Sequence, residues 1–268
     1  DYYLVASIEN ENGKEATVCL EKDQIDEANF KLIDFLDRNG KFPCTASLVD
    51  VSLNEDSVYY PKVIVWQPDY LIEVTGISEC FSGRHAEPIK YILHKLLPTD
   101  PNPYILAGNI SNYFLDQLLY DNSVSYKELL IESFSHHPLD YSLLKKSELD
   151  IVIERIKTAY HVLHKVVSTE FDKEDITAKE SVLEPTFISP GYGIHGRLDL
   201  FQLRKSQNAA EIVELKTGSP FNPNSYGLGN NHYMQTLLYD MLIQSAHPDA
   251  KHRKSYILYA REHENPLK

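Results

Sequence analysis

Cysteine is scarce in this chain: three in 268 residues, Cys19, Cys44 and Cys80, widely separated and odd in number. That usage argues against a secreted disulfide framework and sets the expectation of a reducing, intracellular compartment, cytoplasmic or nuclear. No CxxC pair occurs, which excludes a self-contained zinc ribbon. No apolar run approaches the ~18–20 uninterrupted residues of a membrane-spanning helix, so no membrane role is expected. A charged-then-apolar leader is missing as well. The chain begins at Asp1 without an initiator Met, as expected of a processed or excised piece. Positive charge is short: 26 Lys and Arg stand against 39 Asp and Glu, a formal net charge of −13. A surface that clings to nucleic acid by bulk electrostatics is therefore not expected. A nuclease stays open, because carboxylates clustered around divalent metals make a site locally acidic.

What is present suits an ordered globular protein, 43% hydrophobic and 24% charged, of a length that allows one large domain or two small ones. Residues 1 to about 68 carry alternating runs, YYLVASIE, EATVCLEK, CTASLVDVSL and SVYYPKVIVWQ, broken by Asn-Gly, Gly-Lys and Asn-Glu-Asp turns. One helical run interrupts them, ANFKLIDFLDRNG, with Gly40 as its C-cap. This predicts a small β-rich domain over 1–68, with a barrel as one possible form. From Tyr70 the periodicity turns helical, in AEPIKYILHKLL, NISNYFLDQLLYD, SYKELLIESF and ELDIVIERIKTAYHVLHKVVSTEF, with Pro98, Pro101 and Pro103 separating the first two. Two strands follow residue 180, FISPGYGIHGRLDLFQLRK and AAEIVELKTG. A loop rich in Asn, Gly and Pro leads to the helix HYMQTLLYDMLIQSA and a last strand, KSYILYARE.

Chemistry concentrates in that last third. In EIVELKTGSP, alternation puts Ile212, Glu214 and Lys216 on one strand face and Val213 and Leu215 on the other. Taken alone, this is an edge-strand ion pair of little consequence. In GIHGRLDLFQL, Ile194, Leu198 and Leu200 share one face and His195, Arg197 and Asp199 the other. If the two strands pair, Asp199 approaches Glu214 and Lys216. Two converging carboxylates repel unless a cation lies between them, and oxygen ligands suit magnesium or manganese. A lysine beside the metal would orient water or stabilise developing negative charge. The downstream helix puts Gln235 and Tyr239 on one face with His232, while Met234, Leu237, Leu238 and Met241 supply its core stripe. Singly, each has a plain alternative: Asp199 as a turn or salt-bridge acid, Gln235 and Tyr239 as interface residues, His195 and His232 as structural histidines.

The order of these motifs, G-R-L-D, then E-L-K-T-G, then H-x-x-Q-x-x-x-Y, resembles the PD-(D/E)xK nuclease superfamily in its RecB-like branch. Upstream, QPDYLIEVTGISECF and LAGNISNYFLDQLL resemble the nuclease domain of the nuclease–helicases that process Okazaki-fragment flaps, with CRISPR-adaptation exonucleases as relatives. The similarity runs from Tyr59 to Glu262, more loosely before that, and a small β-barrel precedes the nuclease in those families. The resemblance implies an α/β fold with a mixed central sheet flanked by helices over 69–268, truncated at its C-terminus. It also implies metal-dependent hydrolysis of DNA as single strands, ends or flaps. By the same resemblance Asp199, Glu214 and the Leu215 carbonyl would hold Mg2+ or Mn2+, and Lys216 would position water or balance charge. Gln235, Tyr239 and Arg197 would support the site or touch DNA. A helicase domain following this piece is the further partner implied.

Two departures stand out. Asn112 occupies the place where the family usually has a metal-binding His; an amide oxygen can coordinate a hard cation but carries no charge. Many members also hold an iron–sulfur cluster with four cysteines. Cys80 falls where the first would be, but no later cysteine exists, so no cluster is expected within this chain. Either the lineage lacks the cluster or the piece stops short of it; as a plain alternative, Cys80 is a small buried hydrophobe. Two rival readings remain: a non-catalytic nuclease-like module that binds DNA or a helicase partner, and a structural domain of a larger assembly.

Overall fold

The computed structural model describes residues 2–8, 14–21, 27–67, 70–83, 85–97, 102–220 and 222–268. The Asn12-Gly13 turn and the breakers Pro98 and Pro101 lie outside the described residues. The chain divides into two compact units, Asp1–Ile72 with Ile188–His195, and Glu73–Phe187 with Gly196–Lys268.

In the first unit, β1 (Tyr2–Ile8), β2 (Lys14–Leu20), β3 (Ala46–Leu53) and β4 (Val58–Trp66) form one sheet of order β1-β2-β4-β3, with α1 (Glu27–Arg38) between β2 and β3 in sequence. Strands β2 and β4 run parallel; the outer pairs are antiparallel. Phe30 and Ile33 of α1 pack with Val18, Leu20 and Ile64 of the sheet. Gly40 has φ +60 and donates its N–H to the Asp37 carbonyl, so the helix ends in a left-handed turn that glycine adopts at little cost. The β-rich region is present, but the barrel is not closed: among the described residues β1 and β3 are the edges of an open sheet. Four strands are too few to curl around a filled interior, and α1 supplies the second layer instead.

The second unit carries the mixed α/β architecture. Its sheet has the order β11-β10-β9-β6, from β6 (Ser181–Leu183), β9 (Leu200–Arg204), β10 (Ala209–Lys216) and β11 (His252–Tyr259). Strand β10 pairs antiparallel with β9 and parallel with β11, which makes the sheet mixed. The β9–β10 hairpin turns through a short 3-10 segment and Asn208, whose φ of 50 is left-handed. The helices are α2 (Val74–Glu79), α3 (Ile89–Leu96), α4 (Pro103–Tyr120), α5 (Tyr126–His136), α6 (Pro138–Leu143), α7 (Lys146–Lys173) and α8 (Asn230–Ala246). Three short strands, β5 (Ile72–Glu73), β7 (Thr186–Ser189) and β8 (Ile194–Arg197), contain or adjoin the points where the division of the chain falls.

The core of this unit follows from the alternation along β10. Val213 and Leu215 bury on one face, with Leu200 and Leu258 from the neighbouring strands, against Ile110, Phe114 and Leu118 of α4 and Val152, Ile156 and Leu163 of α7. The opposite face, with Ile212, Glu214 and Lys216, is left for α8, which also packs against α2 and β11.

Three details differ from the sequence-based expectation. The long strand read over residues 187–205 is broken into β7, β8 and β9, because β8 and β9 belong to different sheets. The chain bends at Asp199, beside Leu198, which is fully buried and donates its N–H to the Pro185 carbonyl. Pro103 does not separate helices: it begins α4, where its missing N–H costs nothing, behind an Asn102 cap that accepts from Tyr104 N at 2.8 Å. In α8 the apolar stripe expected from Met234, Leu237, Leu238 and Met241 is not the buried one. Gln235, Thr236, Tyr239, Leu242 and Ile243 are buried, and Leu237 is exposed. A polar pair can take the inward face because each of its groups finds a hydrogen-bond partner there. Among the described residues, no helix is long and apolar enough to cross a membrane.

Candidate active site

The register of the β9–β10 hairpin builds the site. Val213 opposes Leu200, so the next position on each strand brings Asp199 alongside Glu214. Asp199 is the corner residue between β8 and β9, and this frees its carboxylate to reach along β10. Its Oδ2 accepts the Leu215 N–H at 2.6 Å, and its Oδ1 accepts from Asn112 Nδ2 of α4 at 3.1 Å. Glu214 is buried at 6% exposure, and its Oε1 accepts from Lys216 Nζ and from Gln235 Nε2, each at 2.8 Å. Gln235 Nε2 also lies 3.0 Å from the Tyr239 hydroxyl, which in turn donates to the Arg197 carbonyl at 2.8 Å.

These bonds form two sets, Asn112–Asp199–Leu215 and Lys216–Glu214–Gln235–Tyr239–Arg197, that meet where Glu214 and Leu215 adjoin on β10. Arg197 enters through its backbone carbonyl. Its guanidinium is well exposed and lies 3.5 Å from Glu184 Oε2, so it is only loosely tied.

The charges are in tension. Burial, then the neighbouring Glu214 charge, pushes the Asp199 carboxyl up to about 8, against the pull of the Leu215 N–H and Lys216. Lys216 keeps its charge more firmly than a free lysine: burial opposes it, and the Glu214 carboxylate more than offsets that. One oxygen of this pair is left over. Glu214 Oε2 is buried with no hydrogen-bond partner among the described residues. An orphaned buried carboxylate oxygen beside a second carboxylate is costly unless a cation joins them.

The Asp199 and Glu214 carboxylates are the residues here that could hold a single hard divalent cation, whereas Asn112 turns its Nδ2, not its amide oxygen, to Asp199. Among the described residues no group of three or more His, Cys, Asp or Glu side chains is arranged to hold a metal.

Several contributors were not singled out from sequence. Gly196, the glycine of G-R-L-D, is one. A Cβ there would lie 2.8 Å from Tyr239 Cε1 and 3.3 Å from both Leu242 Cδ1 and Val74 Cβ. Only hydrogen fits beneath the Tyr239 ring. Gly196→Ala should cost about 1–3 kcal/mol by overpacking, and it should lower activity with it by displacing Tyr239 from Gln235. Thermal melts read beside activity check this: an alanine variant with the wild-type melting temperature contradicts the packing.

Asp116 lies one turn beyond Asn112 on α4, its carboxyl pushed up to about 7 by burial and then by Glu184. Arg155 of α7 fixes the loop after β10: its Nη1 donates to the Thr217 carbonyl at 3.3 Å while its guanidinium sits 4.2 Å over the Tyr104 ring. No spacing rule reaches from residue 155 to residue 217, so only the fold reveals that link. Cys80 is buried, with its Sγ 3.4 Å from the Gly76 carbonyl.

The raised Asp199 carboxyl gives a pH signature. In the unfolded chain it titrates near its ordinary 3.8, and in the folded chain near 8. Between those values the folded state holds the extra proton, so without metal this group's contribution to stability falls as pH rises from about 4 through about 8. Asp199→Asn should flatten that part of the stability profile. A profile of unchanged slope in the variant would place the titration elsewhere.

The family model of the PD-(D/E)XK nuclease superfamily matches residues 122–268, more than half of the chain, and the chain belongs to that superfamily. The matched span holds Asp199, Glu214, Lys216, Gln235 and Tyr239, whereas Asn112 precedes it. Members of the superfamily typically use divalent metals. No curated protein matches the chain.

Proposed function

We propose that the protein is a metal-dependent DNA nuclease of the RecB-like branch that hydrolyses phosphodiester bonds in single strands, ends or flaps. We place it in replication or repair, working with a helicase. The observation that carries the reading is the buried Glu214 carboxylate, with Oε2 unpartnered among the described residues, Lys216 on its other oxygen and Asp199 alongside.

Asp199 and Glu214 would hold Mg2+ or Mn2+, with the Leu215 carbonyl as a neutral donor, and a bound divalent cation would supply Lewis acidity to a phosphoryl oxygen. The remaining work falls to the chain. Gln235 holds the Glu214 carboxylate in its rotamer, and Tyr239 holds Gln235 while anchoring the Arg197 carbonyl at the β8 end. Lys216 carries a fixed positive charge toward the cleft, where it can steady negative charge developing on the scissile phosphate.

The test is cleavage of end-labelled single-stranded, flapped and blunt duplex DNA, and of RNA, with Mg2+, Mn2+ or EDTA. Cleavage of single-stranded or flapped DNA that needs metal supports the reading. Two observations favour the non-catalytic module instead: the neutral Asn112, and a pair of carboxylates where no third metal-ligating side chain joins them among the described residues. DNA binding without cleavage under every metal would decide for that module.

A further inference from the structure

Beside Lys216 lies an open cavity of about 430 Å3, lined by Lys216, Thr217, Ser219, Ser82, Asn231 and His232. Its volume suits a ligand of nucleotide size. Its polar wall is made of hydroxyls, an amide, an imidazole and an ammonium, beside apolar surface of similar extent. Such a wall matches an anion that is both charged and rich in acceptors.

The imidazole is set up as a donor. His232 Nδ1 lies 2.8 Å from the hydroxyl of Tyr259, and that same hydroxyl accepts the Gly229 N–H at 3.3 Å. Tyr259 is fully buried. With one donor already arriving from Gly229, the phenol's own proton can go to His232 Nδ1. In that arrangement the ring carries its proton on Nε2, the nitrogen that points away from Tyr259. Burial, then the Lys216 charge, pushes the imidazole down to about 4, so it stays neutral at pH 7.

Ser82 is biased the same way: its Oγ accepts from Lys90 Nζ at 2.9 Å, leaving the hydroxyl proton to be given outward. An acid does stand nearby, Glu79, whose Oε1 accepts from Asn231 Nδ2 at 3.0 Å.

We infer that this cavity is a phosphate subsite for the nucleotide next to the scissile bond, in which His232 Nε2–H and the Ser82 hydroxyl donate to non-bridging phosphate oxygens; the inference rests on the nuclease reading above. Hydrogen bonds rather than net charge do the holding there. That suits a protein whose net charge is −13, because uncharged donors do not compete with a divalent cation for the nearby carboxylates. It also gives Tyr259 and Gly229 a role as positioning residues, acting on the ligand only through His232.

The test reads binding, not turnover. A fluorescent single-stranded oligonucleotide is titrated in EDTA against wild type, His232→Ala, His232→Gln and Ser82→Ala, with melts to confirm folding. His232→Ala should weaken binding roughly tenfold, the usual weight of a hydrogen bond to a charged acceptor. His232→Gln, which can carry an uncharged N–H toward the same place, should recover most of it. A set of oligonucleotides with a neutral methylphosphonate at one position at a time should contain one that weakens wild type but leaves His232→Ala unchanged. Nitrogen NMR of the free protein should show Nε2 protonated and Nδ1 bare, with Nε2 shifting when inorganic phosphate is added.

Equal binding by His232→Ala and wild type overturns the inference. So does a proton on Nδ1, or a His232→Ala defect that no methylphosphonate position abolishes. Since no metal or cleavage enters, the outcome separates from the nuclease reading. A His232 effect with no cleavage under any metal keeps the subsite and loses the enzyme. Cleavage with no His232 effect does the reverse.

Discussion

Lys216→Ala should cut DNA cleavage by ~10²–10³, the usual cost of removing one charge-stabilising group from a phosphoryl- or acyl-transfer centre. The lysine's ammonium sits 2.8 Å from Glu214 Oε1, and its charge faces both carboxylates. From the sequence alone a lysine on an open cleft could be lost without cost to folding, but the structure shows a largely buried partner. Without Lys216, Glu214 keeps only Gln235 on Oε1 and nothing among the described residues on Oε2. The metal-free variant should therefore lose about 1–3 kcal/mol of stability, the price of an undercompensated buried acceptor. A divalent cation should restore more of that loss than it adds to wild type, because it supplies the missing positive charge. Melting curves with and without Mn2+, read beside single-turnover cleavage, check both halves. Undiminished cleavage by Lys216→Ala would put the chemistry somewhere else on this chain.

Glu214→Ala should abolish cleavage as well, through the metal rather than the transition-state charge. Removing the carboxylate strips the site of half its negative charge and leaves Lys216 and the Gln235 amide without their shared acceptor. High Mn2+ should then rescue part of the activity, since mass action can refill a weakened site, whereas no metal concentration replaces the ammonium lost in Lys216→Ala. Rate against Mn2+ concentration for the two variants makes the comparison. Rescue of the lysine variant and not the glutamate variant would reverse the two roles.

The parts of this site that could be read from sequence are those set by alternation within one element. Glu214 and Lys216 share a face because they are two residues apart on β10, and Gln235 and Tyr239 share one because they are four apart on α8. The β-rich region and the run of helices and strands after it were legible in the same way, from period two and period 3.6, whereas the mixed sheet was expected only from the family resemblance.

What escaped depends on where the chain turns and what packs above it. Alternation was carried through Leu198 and Asp199, yet the backbone bends there. Asp199 reaches Leu215 from a corner rather than from a strand face. The helical stripe of α8 was assigned to its methionines and leucines, because burying Gln235 looks unfavourable until Glu214 and Tyr239 are known to receive it. Gly196 carries no side-chain signal at all; its reason is the Tyr239 ring 2.8 Å from where a Cβ would be. Closure of a barrel is likewise a property of strand pairing that alternation does not encode.

The measurement closest to the central claim is an EPR titration of Mn2+ into wild type, Glu214→Ala and Lys216→Ala at one pH, with cleavage read on the same samples. A cation held by Asp199 and Glu214, with Lys216 as a charge rather than a ligand, predicts a clean separation of binding from activity. Glu214→Ala should bind Mn2+ much more weakly than wild type. Lys216→Ala should bind it at least as tightly, having lost a competing positive charge, and still cleave ~10²–10³-fold more slowly than wild type. Wild-type Mn2+ affinity in Glu214→Ala, or loss of Mn2+ binding in Lys216→Ala, would contradict the account.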